Sequence, residues 1–332
     1  MSGFWSGKEV LVTGGAGFIG SRAVRQLLAA GARVTVVDDL SKGEAGNLEG
    51  VMGRIRFVQA DLMDPEVAAK ALAGKDACVH FAARIGGIGY FHKYPGSSLR
   101  DNSLLNFNLW EAARETKPLM VCVSSSMVFE RTTQFPTPEG AVLTSPPPIT
   151  GYGFSKLVDE YIARTYQEEY GIPFAIARPF NAYGPGERTG EFIGYAHVIP
   201  DIVKKVRSGQ SPLEILGDGM QSRSYTYVDD VASGILFAAE HGRNDDFNIG
   251  TGVETTVREL AERIWALCGR KEALAFRHLP VFATDVRKRV PDVKKIFSLG
   301  WRPQVDLQTG LKETVSWLEQ HEPAQSSSEN RF

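Results

Sequence analysis

The segment that most restricts what this chain can fold into is "EVLVTGGAGFIGSRAVRQLLAAG", residues 9–31. A short apolar run leads into three spaced glycines, Gly14, Gly17 and Gly20, and an amphipathic helix pattern follows at once. A glycine pattern alone is weak evidence, but this one stands between a strand and a helix, where it has a mechanism. Glycine tightens the turn and lets the backbone approach a pyrophosphate. The helix behind it, with Phe18 and Ile19 in its first turn, offers unpaired N–H groups and the positive end of its dipole. The next apolar run, "RVTVVDD", ends in Asp38, eighteen residues after Gly20. A carboxylate there can accept both ribose hydroxyls of NAD and repels the extra phosphate of NADP, so NAD is the expected cofactor. The structural alternatives are a plain tight turn and an Asp38 that merely caps the next one.

The same alternation continues. "IRFVQADLMD", the helix pattern "PEVAAKALAG", the strand pattern "ACVHFAA", a helix around "NSLLNFNLWEAARET" and the strand pattern "LMVCVSSS" follow in order. Strands apolar on both faces, separated by helices, predict a parallel sheet covered on each side: an α/β, doubly wound Rossmann fold. A strand at 174–181, "FAIARPFN", and a helix near "YVDDVASGILFAAEHG" are expected to complete it. The NAD-binding domain is thus placed at 1–182 plus about 223–250. A smaller mixed α/β substrate lobe is placed at 183–222 and 251–320, and a polar tail, expected to be disordered, at 321–332.

Charge excludes some partners. The 37 basic and 39 acidic residues leave a net charge of −2, which gives no support for nucleic-acid or membrane binding, so any phosphate must be held by local placement. No run has the length of a transmembrane helix, and the N-terminus has no apolar core like that of a signal peptide. Cys78, Cys122 and Cys268 are widely spaced and odd in number, which suits buried thiols in a reducing cytoplasm and offers no metal-ligand spacing; no metal is expected.

"TGYGFSKLVDEY" places Tyr152 and Lys156 four apart, on one face of a helix. A phenol is a poor base at neutral pH, with an ordinary pKa of about 10. A lysine ammonium beside it and a charged nicotinamide favour the phenolate. The pair is therefore suited to moving a proton on or off a hydroxyl while a hydride passes to the cofactor, to which both residues are also expected to bind.

With these residues in view, the chain resembles the extended short-chain dehydrogenase/reductases, specifically the NAD-dependent nucleotide-sugar epimerases and dehydratases. The resemblance runs over nearly the whole chain through "TGGAGFIG", "ADLMD", "HFAA", "SSS", "YGFSK", "RPFNAYGPGE", "GDGMQSRSYTYVDDV", "FNIGTG" and "RVPDVKK". It implies an enzyme that oxidises a sugar carbon with tightly held NAD, exploits the ketone and reduces it again. It also implies Ser125, three residues before Val128, as the group that hydrogen-bonds the reacting oxygen, with Ser124 and Ser126 as neighbours in the turn, Ser126 within reach of substrate. Asp61 and Leu62 are expected to bracket the adenine, and Asn102 to position backbone or the surroundings of Tyr152.

Met127 separates reactions within the family. The 4,6-dehydratases resemble "TDE" here, the decarboxylases carry Glu at the place of Met127, and the GDP-mannose 3,5-epimerases and GDP-fucose synthases carry Cys. A thioether cannot take up a proton. Dehydration and decarboxylation lose their expected groups, and two-base epimerisation loses half of its pair. Met127 can also be read simply as an adaptable apolar wall under the sugar. Other features point back to the last subgroup: "RIGGIGYF" at 84–91, with Gly87, resembles its substrate loop, and His197 in "AHVIPD" stands where the fucose synthases carry a catalytic histidine. The lysine of the 3,5-epimerases has no counterpart, since Val198 occupies its place.

The simplest chemistry for Tyr152, Lys156, Ser125 and NAD is 4-epimerisation of a nucleotide sugar. The alternatives are a 3- or 5-epimerase, or epimerase-reductase, of a GDP-hexose with His197 as acid/base; a simple NAD-linked alcohol dehydrogenase; and a redox-sensing binding protein without catalysis. By resemblance, Arg223 in "QSRSY" is the expected diphosphate ligand, with a surface salt bridge as its alternative; a guanidinium fork suits bidentate phosphate contact. Arg289 in "RVPD" is a second candidate, with Arg287 close by and a salt bridge to Asp285 or Asp292 as its alternative. Asn181 in "FNAYGP" is expected on the substrate by resemblance, as is a homodimer paired through the tyrosine helices.

Overall fold

The computed structural model describes residues 3–85, 93–189, 197–281 and 286–322. Seven strands form its main sheet: β1 (Glu9–Thr13), β2 (Arg33–Asp38), β3 (Arg56–Gln59), β4 (Ala77–His80), β5 (Leu119–Val123), β6 (Phe174–Pro179) and β7 (Asp245–Ile249). Their order is β3-β2-β1-β4-β5-β6-β7, and every neighbouring pair is parallel. The order reverses between β1 and β4, which places the crevice expected for a ligand at the carboxyl ends of those two strands.

Alternate residues of each strand serve different cores, as a parallel sheet with both faces buried requires. Val10 and Val12, Val34 and Val36, Val121 and Val123 pack with Val24 and Leu27 of α1 (Phe18–Ala29) and Val231 and Ile235 of a later helix. Leu11, Val37, Cys78, Met120 and Cys122 face the other way, against α2 (Pro65–Leu72), α3 (Pro95–Thr116) and α4 (Gly151–Tyr170). Asp64 caps α2 by accepting from the Glu66 N–H at 2.9 Å, with Pro65 at the first helical position. α3 starts ahead of the expected segment for the same reason: Pro95 opens it.

A second core lies beyond this sheet. It gathers Ile199, Ile202, Val203 and Val206 of α5 (Val198–Arg207), Leu260, Ala261 and Ile264, and Leu311, Val315 and Leu318. The first helix of the main sheet still to be named is α6 (Val228–His241), then come α7 (Val257–Leu267), α8 (Lys294–Ser298) and α9 (Leu307–His321). A small sheet of two-residue strands joins Ser222–Arg223 to Thr255–Thr256 and to Lys288–Arg289. The expected polar tail lies, but for its first two residues, outside the described residues, and α9 runs to His321.

Candidate active site

A cavity of about 890 Å³ opens where the ends of β1, β4 and β5 face the second core. Its floor at one end is the glycine turn. Gly14 has φ +65°, and a Cβ built there would lie 2.6 Å from the Ala82 nitrogen of the next crossing segment. A Cβ on Gly20 would lie 2.2 Å from the Gly14 carbonyl oxygen, so α1 can close onto the turn only without a side chain. Gly17 is the residue before the helix, and Phe18, Ile19 and Gly20 line the cavity with it.

Asp38 stands at the end of β2, buried. Its Oδ2 accepts from the Ala16 N–H and its Oδ1 from the Leu40 N–H, each at 2.9 Å. Burial raises its pKa and the neighbouring Asp39 adds to this, while the two backbone donors oppose it. Each oxygen retains acceptor capacity toward the cavity. Asp61 and Leu62 line the same end. Arg84 joins them: it pairs with Asp39 at 2.8 Å and Asp61 at 3.5 Å, and Asn102 holds its backbone, accepting from its N–H at 2.7 Å. Of the two places expected for Asn102, it takes the backbone. Arg84, the first residue of the expected substrate loop, therefore sits at the Asp38 end of the cavity, and Gly87 lies outside the described residues.

The middle of the cavity is lined by Ser125, Ser126, Met127, Tyr152 and Lys156. After β5 the chain makes a single 3₁₀ turn, Ser126–Phe129, capped by Ser125, whose Oγ accepts from the Met127 N–H at 3.2 Å. Thr150 caps α4 by accepting from the Gly153 N–H at 3.1 Å, which fixes the first turn carrying Tyr152. One turn on, the buried Lys156 ammonium donates to the Val123 carbonyl at 2.7 Å, so α4 and the end of β5 are tied at the site itself. Ser124 also lines the cavity, but its hydroxyl is engaged by the buried Glu160, to which it donates at 2.6 Å.

The far wall belongs to the second core. Arg223 and Arg289 are paired positions on neighbouring parallel strands, so both side chains leave the small sheet on one face, and both line the cavity. Arg287, two residues earlier, instead pairs with Asp218 at 2.9 Å. Asn181, in a left-handed backbone conformation at φ +39°, donates to the Ser224 carbonyl at 3.2 Å and also lines the wall. His197 precedes α5, half-exposed on the cavity wall, and its Nδ1 pairs with Glu187. Burial disfavours its charged form, but the Glu187 charge and hydrogen bond outweigh this and hold its pKa above the ordinary imidazole value.

Residues 10–250 match the NAD dependent epimerase/dehydratase family. The chain belongs to that family. This epimerase/dehydratase is 33% identical over 316 residues to the UDP-glucose 4-epimerase of Mycolicibacterium smegmatis, covering 93% of this chain and 98% of that one. It is 32% identical over 325 residues to a dTDP-4-dehydro-6-deoxy-D-allose reductase of a Streptomyces species, covering 96% and 98%. The crystal structure of a UDP-glucose 4-epimerase of Thermotoga maritima with UDP-glucose superposes at a TM-score of 0.84 and 33% identity, covering 94% of this chain and 99% of that one. NAD is the family's cofactor, and the glycine cradle that a Cβ would fill, with Asp38 beyond it, fits that group here. Among the described residues no helix is long and apolar enough to cross a membrane, and no group of His, Cys, Asp or Glu could hold a metal ion.

Behind the site this epimerase/dehydratase carries a buried polar layer that sequence reasoning missed. Glu160 accepts from Arg178 Nε and Nη2, each at 2.6 Å, and Arg178 Nη1 reaches Asp246 at 2.5 Å. Asp159 accepts from the Cys122 thiol at 2.9 Å, and burial pushes that thiol's pKa far up. The signal was available: Tyr152, Lys156, Asp159 and Glu160 follow at i, i+4, i+7 and i+8, the spacing of one helix face. Glu187 beside His197 and Glu130 below Met127 were also missed; neither belongs to a periodic pattern.

Proposed function

We propose that this NAD-dependent enzyme inverts C4 of a nucleoside-diphosphate hexose through a transient 4-keto sugar. Met127 carries the conclusion. The cavity wall offers Tyr152, Lys156 and Ser125, and the neighbouring place that would hold a further acid or base in related enzymes holds a thioether, which has no proton to exchange. Tyr152 takes the proton from the C4 hydroxyl and returns it, while Ser125 donates a hydrogen bond to the same oxygen. Lys156, anchored on Val123, keeps two N–H donors for the ribose and the tyrosine side. NAD, when bound, supplies the hydride acceptor and donor, held by Gly14, Gly17, Phe18, Ile19, Gly20, Asp38, Asp61 and Leu62. Arg223 and Arg289 grip the diphosphate and Asn181 and Ser126 touch the substrate, so the keto sugar can turn and present its other face. No second base is needed. The likeness to UDP-glucose 4-epimerases supports a uridine nucleotide as the first to try.

His197 favours a second reading. A Glu187-paired imidazole open to the cavity is equipped for proton transfer at C3 or C5. Turnover of UDP-, GDP- and CDP-hexoses in D₂O decides between them. An epimer without solvent deuterium supports hydride transfer alone at C4; deuterium at C3 or C5 refutes it and makes His197 the base. Net release of NADH would refute both in favour of a simple dehydrogenase. We further assign elements 183–222 and 251–320 to substrate binding. A homodimer is assigned through the exposed apolar side chains Leu104 and Phe107 of α3 and Phe154 and Tyr161 of α4. The buried thiols Cys78 and Cys122 suit a cytoplasmic setting.

A further inference from the structure

Glu130 has no part in the chemistry above, yet it lines the same cavity. It follows the 3₁₀ turn directly, its N–H donating to the Met127 carbonyl at 3.1 Å. Side chains three apart eclipse in such a turn, so Glu130 faces the side that Met127 faces. The residue is 9% exposed. Its two oxygens are treated differently. Oε2 accepts from the Ile149 N–H at 2.8 Å, the Thr150 N–H at 3.0 Å and the Thr150 hydroxyl at 3.2 Å, holding the residues that begin the tyrosine helix. Oε1 is buried and has no hydrogen-bond partner among the described residues. A buried acceptor of this kind is costly unless something donates to it, and Glu130 stands on the wall of the cavity that a substrate would enter.

We propose that Glu130 Oε1 accepts a hydrogen bond from a hydroxyl of the bound sugar and so selects the sugar class. This rests on the nucleotide-sugar function proposed above. A carboxylate is acceptor-only, so it welcomes the hydroxyls of a neutral hexose. It repels the carboxylate of a hexuronate, and the low-dielectric wall strengthens both effects. Glu130 is thus a specificity-determining residue for hexoses over hexuronates, and its second oxygen fixes the segment that starts the Tyr152 helix.

The test compares NAD-loaded wild type with Glu130→Gln, with Glu130→Ala as a second variant. Gln can keep a carbonyl oxygen for the Ile149 and Thr150 donors while it offers an N–H₂ in place of Oε1. The probes are a nucleoside diphosphate alone, its hexose conjugate and its hexuronate conjugate, using whichever of UDP, GDP and CDP gives the fastest wild-type hexose turnover. The expected result is a hexose Kd and KM raised roughly ten-fold in Glu130→Gln. The bare diphosphate should shift less than two-fold, and the hexose-over-hexuronate preference should shrink. Unchanged hexose binding, or the same loss for bare diphosphate and hexose, would overturn the proposal. If the wild type turns over no nucleoside-diphosphate hexose, the nucleotide-sugar function itself fails; if the wild type discriminates hexose from hexuronate and Glu130→Gln does so equally, only the role of Glu130 fails.

Discussion

Replacing Glu160 by glutamine probes the buried layer behind the site. Arg178 is fully buried and Glu160 nearly so, and the pair is bidentate at 2.6 Å. Burial works against the Arg178 charge, yet Glu160 and Asp246 outweigh it and hold its pKa above the ordinary value. Glu160→Gln removes one of the two carboxylates and leaves a buried guanidinium under-compensated. Breaking a buried pair from one side costs about 3–5 kcal/mol. Asp246 remains at 2.5 Å from Nη1, which puts the expected loss at the lower end, about 3 kcal/mol. For a chain of 332 residues that corresponds to a fall in Tm of roughly 4 °C, read by scanning calorimetry of the NAD-loaded protein. The kcat should fall as well, because the Glu160 oxygen that holds Arg178 Nε also holds the Ser124 hydroxyl, next to Ser125. The double variant Glu160→Leu with Arg178→Met removes both charges, and Asp246 keeps Arg164 at 3.5 Å and Lys295 at 3.7 Å. It should therefore melt higher than the sum of the single changes predicts. A Glu160→Gln protein melting within 2 °C of the wild type, or strict additivity of the two changes, would refute the account.

The glycine turn makes a graded prediction: Gly20→Ala, with its Cβ 2.2 Å from the Gly14 carbonyl, should abolish retained NAD, whereas Gly17→Ala, at 3.1 Å from the same atom, should weaken it less; equal cofactor content after gel filtration would contradict this. His80 is buried between Thr13 at 2.6 Å and Asn106 at 2.8 Å, and burial, with Lys156 adding to it, brings its pKa down to about 4. Between its ordinary value of about 6.5 and that point the unfolded chain binds a proton that the folded chain does not. Stability should hold above that window and fall through it by up to about 3 kcal/mol as acid is added. Urea unfolding at pH 7, 5.5 and 4.5 should show His80→Asn with a shallower fall, and identical slopes would show that His80 is not the source.

The strands were legible because burial on both faces leaves runs such as "VLVT" and "VTVV" that carry no other meaning, and the glycine spacing marked the first crossover. Tyr152, Lys156 and Asp38 were legible because local geometry, a helix face or a strand end, fixes where they point. What failed to show was whatever depends on a distant partner. Arg178 in "FAIARPFN" looks like a single polar interruption of a strand; its burial follows from Glu160 on α4 and Asp246 on β7. Glu130 could not be told from a surface acid, because the donors to Oε2 come from a loop nineteen and twenty positions on. Arg223 and Arg289 were each singled out, but their register is a pairing of two-residue strands that no periodicity announces.

That register has a mechanical consequence. Strands of two residues make few backbone hydrogen bonds, and such segments lie at the weakly held end of a folded protein. An anion that binds the two guanidiniums together fastens segments 66 positions apart in the chain, and binding to the assembled arrangement alone adds about 2.7 kcal/mol to its stability at a hundred times Kd. Under the proposed function, the leaving nucleotide and the loosening of this wall would be one event: the latch would open when the diphosphate goes, and a sugar caught halfway through its turn would stay inside for as long as its tail is held.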